Sequence, residues 1–155
     1  MKKLLFTFLA IAIIFSGCEK EEEPVNSGNT NPITYAFSCK LDGEDFTDSN
    51  PVASIEPSTN VLTIDAEDGD NTIRIIIYNF SNRDEGDEIS LNNLTDKAYV
   101  TMSSVFMSNT QSGNITFSEI GSELSGVFNF KCNNLQTFES VTVTEGVFEV
   151  YLIND

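Results

Sequence analysis

Val61-Leu62-Thr63-Ile64-Asp65-Ala66, then Glu67-Asp68-Gly69-Asp70-Asn71, then Thr72-Ile73-Arg74-Ile75-Ile76-Ile77-Tyr78-Asn79-Phe80 is the stretch whose reading decides the fold. The first arm alternates apolar and polar side chains, the middle is a Gly/Asp/Asn turn, and the second arm returns. This is the signature of a hairpin with side chains on two faces. Ile73, Ile75, Ile76, Ile77, Tyr78 and Phe80 make the return arm apolar at both parities. That predicts a central strand covered on both sides.

The same period of two runs outward in both directions. Tyr35, Phe37, Cys39 and Leu41 alternate with Ala36, Ser38 and Lys40 before Asp42-Gly43 turns the chain into Glu44 to Thr47. Downstream, Glu88 to Leu91, Ala98 to Met107, Asn114 to Ile120, Glu123 to Cys132 and Ser140 to Ile153 read as further strands. No helix is needed. The predicted class is all-β: an antiparallel β-sandwich of about nine strands, or a small lipocalin-like barrel, with short connections throughout.

Composition bounds what such a domain can do. Among 155 residues there are 24 acids, 8 cations and no histidine or tryptophan. His-dependent triads and His-ligated metal or haem sites are thereby excluded. A formal charge of −16 repels nucleic acid and anionic lipid, so no nucleic-acid partner is expected. With 12 Phe and 40% apolar residues the chain still buries a real core.

The first segment is an address rather than part of the fold. Lys2 and Lys3 precede an apolar run from Leu4 to Phe15, too short to span a bilayer, which ends in Phe15-Ser16-Gly17-Cys18. Those four residues look like a bacterial lipobox. Residues 1–17 are then a lipoprotein signal peptide, and Cys18 becomes the mature first residue. It would carry thioether-linked diacylglycerol and an N-acyl chain of the palmitate type. At about 0.8 kcal/mol per buried CH₂, three such tails anchor a protein permanently.

Residues 18–31, from Cys18 through Glu19-Lys20-Glu21-Glu22-Glu23-Pro24 to Asn31, offer almost nothing to bury and read as a flexible acidic tether. Extended, it reaches about 50 Å. Cys18-Glu19-Lys20-Glu21-Glu22 resembles the export signal of Bacteroidota-type surface lipoproteins, a Lys and two acids just behind the lipidated Cys. The expected location is the outer membrane, lipid-anchored and facing the cell exterior; the alternative is its periplasmic face. Residues 32–155 form one β domain.

Gly113-Asn114-Ile115-Thr116-Phe117, Leu124-Ser125-Gly126-Val127-Phe128-Asn129-Phe130 and Val141-Thr142-Val143-Thr144-Glu145-Gly146-Val147-Phe148-Glu149-Val150 carry a family resemblance. Their Ser-Gly-x-Phe-x-Phe and Thr-x-Gly-x-Phe patterns resemble the closing strands of a family of small Bacteroidota lipoproteins known only as a domain of unknown function. Phe37-Ser38-Cys39-Lys40-Leu41-Asp42-Gly43 is similar to that family's opening strand and turn. The resemblance implies no catalytic residue, and none is assigned.

Phe128 and Phe130 share parity and should point into the core, while Gly126 and Gly146 suit bulges where a strand bends. Cys39 and Cys132 lie on the inward parity of their strands. In an oxidising compartment they are either a disulfide or two buried free thiols. No histidine is available to activate either of them.

Acidic clusters are the remaining candidates for chemistry. Asp65, Glu67, Asp68 and Asp70 surround the deciding hairpin, and Asp84, Glu85, Asp87 and Glu88 fill the next loop. Oxygen-rich loops hold calcium, but this spacing lacks the Asp-x-Asp-x-Asp-Gly order and the downstream bidentate Glu. A solvated, charged turn is the alternative. Two function classes follow. The first is a non-enzymatic binding or accessory module contacting glycan, peptide or another envelope protein through a sheet face or loop end. The second is a small hydrolase using paired carboxylates.

Overall fold

The computed structural model describes residues 36–154. The leader, Cys18, the tether and the first residues of the β domain lie outside them. Eleven strands follow in order: β1 (Ala36–Leu41), β2 (Glu44–Asp48), β3 (Val52–Glu56), β4 (Val61–Asp68), β5 (Asn71–Tyr78), β6 (Glu88–Ser90), β7 (Lys97–Met102), β8 (Val105–Met107), β9 (Asn109–Ile120), β10 (Glu123–Asn133) and β11 (Ser140–Asn154). The fold is nearly all-β, and a single 3-10 turn at Phe80–Asn82 is its only helical element among the described residues.

Nine strands pair in the order β6-β9-β10-β11-β3-β4-β5-β7-β8, and the β1–β2 hairpin branches from β11. The sheet curls into a half-barrel. All strand pairings but one are antiparallel. The exception is β11 with β3, where Leu152 to Asn154 run parallel to Ala53 to Ile55, so the sheet is mixed rather than purely antiparallel.

The corners come from strands that change partners. Along one edge β11 pairs first with β1 and then, past Tyr151, with β3. Ser108 separates β8, which pairs with β7, from β9, which pairs with β10. Across that second corner the buried Thr110 hydroxyl accepts the Ala98 N–H (3.0 Å) and donates to the Ala98 carbonyl (2.8 Å). One side chain thus satisfies a stretch of β7 edge that β8 is too short to cover.

Inside the curl, Phe46, Phe37, Phe128, Phe148, Phe117 and Phe80 form a continuous file, with successive ring centroids 4.8 to 6.3 Å apart. Leu62, Ile64, Ile73, Ile75 and Ile77 from β4 and β5 complete the core. Each buried ring or branched side chain contributes about 1.5–3 kcal/mol.

The two glycines of the closing strands explain the file. In the β10–β11 pairing Phe128 lies opposite Gly146, and Gly126 lies opposite Phe148. A Cβ on Gly146 would sit 2.6 Å from the Phe128 ring, and one on Gly126 would sit 2.8 Å from the Phe148 ring. Each aromatic ring therefore occupies the space a side chain would need. Register shifts fall beside both positions: β11 bulges at Thr144–Glu145, where Glu145 has φ of 54°, and β9 bulges opposite Ser125–Gly126. Phe128 and Phe130 point inward as expected, whereas the bulges lie beside the two glycines rather than at them, at Thr144–Glu145 on β11 and on β9 across from Gly126.

Besides the parallel pair and the unexpected β3, two strands differ from the sequence reading. The single strand expected over Ala98 to Met107 is broken at Ser103–Ser104, both at positive φ, into β7 and β8. The return arm of the deciding hairpin is central but is covered on one side only. Ile73, Ile75 and Ile77 are buried, whereas Ile76 is half-buried and Tyr78 exposed on the outer face. Phe80 reaches the core from the 3-10 turn instead, after Asn79 takes a left-handed conformation.

Candidate functional site

The acids around the deciding hairpin do separate jobs. Arg74 Nε and Nη2 donate to Asp65 Oδ1 (2.6 Å) and Oδ2 (3.0 Å), a two-toothed pair that raises the guanidinium pKa further. The Thr47 N–H donates to Asp68 Oδ2 (3.0 Å), and the Glu67 N–H donates to Asp48 Oδ2 (2.8 Å). These reciprocal carboxylate bonds clasp the edge strand β2 to the end of β4. Asp65, Glu67, Asp68 and Asp70 therefore do not converge on one point. Among the described residues no group of three or more Cys, Asp or Glu is placed to hold a metal. In the next loop Glu85 Oε1 accepts the Ile120 N–H (3.0 Å), again a bond to backbone.

Cys39 and Cys132 face inward, as their parity requires, but they are free thiols. Their strands, β1 and β10, pair with opposite edges of β11. Two inter-strand spacings already separate the cysteines by about 9.5 Å. A disulfide spans Cα atoms no further apart than about 7 Å, so of the two readings, bridge or free thiols, the sheet order favours the free thiols. Burial pushes both thiols up to about 12.

What the fold does assemble is an outward face. On β4, β5 and β7 the residues opposite the core line up across strands: Asp65, Arg74 and Tyr99 in one row, Glu67, Thr72 and Thr101 in the next, and Thr63, Ile76 and Lys97 on the other side. Phe106 on β8 pairs with Thr101 and meets the Tyr99 ring edge-to-face, centroids 5.6 Å apart, while staying 50% exposed. All of these but Thr63 and Lys97 line an open groove of about 380 Å³. Two aromatic rings form its wall, the Arg74–Asp65 pair its polar centre, and Thr72 and Thr101 add hydroxyls.

The outer parity continues past Ile76 into a second cavity of about 480 Å³ between Tyr78, Asn79, Arg83 and the Leu94–Lys97 segment. Its base is a built ion pair. Arg83 Nη2 donates to Asp96 Oδ2 (2.8 Å) and to the Tyr78 carbonyl (3.1 Å), while Asp96 Oδ1 accepts the Tyr78 N–H (2.7 Å). Asp96 is only 3% exposed. It replaces a strand acceptor where the β5–β7 ladder stops at Ile76 and Lys97. The Lys97 ammonium lies 5.8 Å over the Tyr78 ring.

Sequence reasoning missed this face because it sought chemistry in acid-rich turns. The available signal was Lys97, Tyr99 and Thr101 alternating with Ala98 and Val100, together with Arg74 inside an isoleucine strand. Asp96 carried no such signal, since only the fold shows it buried.

No curated protein and no solved structure matches the chain. A family model described as "Domain of unknown function (DUF6252)" matches residues 33–150, spanning all of β1 to β10 and most of β11. The chain therefore belongs to that family of unknown function.

Proposed function

We propose that this chain is a Bacteroidota-type outer-membrane lipoprotein, anchored through Cys18 and displayed on the cell surface, whose β domain is a non-enzymatic module that binds glycan along the outer face of β4, β5, β7 and β8. The observation that carries the binding reading is the row Asp65–Arg74–Tyr99 beside Phe106. Aromatic rings receive the apolar faces of sugar rings, and a charged pair fixed on rigid strands offers directional bonds to hydroxyls. A sheet face holds such groups without loop ordering, so little entropy is lost on binding.

Support for binding rather than turnover comes from the use made of the carboxylates. A glycosidase needs one carboxyl kept protonated and a second one free. In the groove both Asp65 oxygens are already taken by Arg74. The lipid anchor rests on the order of basic, apolar and small residues before Cys18.

The test is a glycan screen on the full-length protein in nonionic detergent, run with calcium and with chelator beside a hydrolase panel. Saturable, chelator-insensitive binding without turnover is the expected result. Turnover abolished by Asp65→Asn or Glu67→Gln would overturn the reading in favour of a hydrolase. For the anchor, Cys18→Ala should leave the detergent-rich phase, and protease added to intact cells should shave the wild-type domain.

A further inference from the structure

We propose that the cavity at Tyr78, Arg83 and Lys97 is an anion-binding subsite that takes the carboxylate of an acidic sugar at one end of the outer-face groove. This rests on the reading of that face as a glycan track. Along β5, Thr72, Arg74, Ile76 and Tyr78 share the outer parity, so the track runs about 20 Å at roughly 3.4 Å per residue. Its two cavities meet where Ile76 pairs with Lys97.

The subsite is positive in an otherwise strongly acidic protein. Two of the chain's 8 cations meet there. Arg83 is paired with Asp96, but Lys97 makes no ion pair among the described residues, which leaves one positive charge in excess. The guanidinium is also oriented for a ligand. Nη2 is engaged by Asp96 and the Tyr78 carbonyl, and Nε is buried without an acceptor. Nη1 makes no hydrogen bond among the described residues, on a side chain that is 29% exposed. Asp96 is held in turn by the Tyr78 N–H, so the arginine is positioned before any ligand arrives. A carboxylate suits one free guanidinium nitrogen with an ammonium beside it, one oxygen to each. Leu94, 92% exposed in the adjoining loop, supplies an apolar rim.

The probes are an oligomer of galacturonic acid and its carboxyl-reduced, neutral counterpart, titrated calorimetrically into the full-length protein in nonionic detergent. The acidic oligomer should bind roughly tenfold more tightly at low salt, with the preference shrinking as salt is raised. Lys97→Gln, which leaves the buried pair intact, should erase most of that preference. Arg83→Lys should weaken the acidic oligomer and spare the neutral one, and thermal unfolding of each variant reports that the fold is kept. Equal binding of the two oligomers, unaffected by Lys97→Gln, overturns the subsite and leaves the track standing. Acidic-oligomer binding that depends on Lys97 but not on Tyr99 overturns the track and leaves the subsite. Binding of neither oligomer at millimolar concentration overturns both.

Discussion

The two halves of the sheet solve the same folding problem in different ways. β4 and β5 pair through eight consecutive positions, from Val61 with Tyr78 to Asp68 with Asn71, without a register shift. β10 shifts register against both of its neighbours. The regular half fills its inner face with isoleucine and leaves the outer parity free for Arg74, Tyr99 and Lys97. The irregular half uses bulges to set glycines against phenylalanine rings. Bulges commit a strand's residues to local geometry, so the β9–β10–β11 half serves packing, whereas the unbroken ladders of β4, β5 and β7 can carry a recognition surface.

The largest expected effect breaks the packing half. Phe128 touches Phe37, Phe130 and Phe148, so Phe128→Ala should cost about 3–5 kcal/mol in denaturant unfolding. That is comparable with the whole stability of many domains. Gly146→Ala should cost about 1–3 kcal/mol, because its Cβ would overlap the same ring. The pair should also be coupled: in a Phe128→Leu background the alanine should cost clearly less, since the ring it strikes is gone. A full-sized cost in that background would show that the glycine is needed for backbone reasons alone.

The buried thiols give a pH signature. Folding holds Cys39 and Cys132 protonated up to about 12, whereas the unfolded chain loses those protons near 9.0. Above that lower value the unfolded state binds fewer protons than the native state, so stability should fall as pH rises from about 9 to about 12. Iodoacetamide at pH 8 should leave both thiols unmodified in native protein and label both after unfolding without reductant. Failure to label the unfolded, never-reduced chain would establish a disulfide and contradict the sheet order.

Much of the fold was legible in the sequence because β-strands write their faces with a period of two. The deciding hairpin, the Asp42-Gly43 turn and the inward Phe128 and Phe130 all followed from it. β3 was missed because Val52-Ala53-Ser54-Ile55-Glu56 alternates weakly, and its parallel pairing depends on β11 from the far end of the chain. The choice between a disulfide and two free thiols stayed open in the sequence for a related reason. Parity tells which way a thiol points, but only strand order tells whether two of them meet. The acids around the deciding hairpin were visible but their partners were not: Asp65 and Asp68 bond to Arg74 and to the β2 backbone, which strand register alone reveals.

The smallest stability change is expected where the functional change is greatest. Arg74 and Tyr99 lie on the outer face, away from the phenylalanine file, and exposed pairs such as Arg74–Asp65 contribute about 0–1 kcal/mol. The most direct test is the Arg74→Ala, Tyr99→Ala double variant, measured for glycan binding and thermal unfolding in the same preparation. The account predicts more than roughly tenfold weaker binding with a melting temperature within a few degrees of wild type. Unchanged binding in a folded double variant would contradict it and remove the outer face of β4, β5, β7 and β8 as the recognition surface.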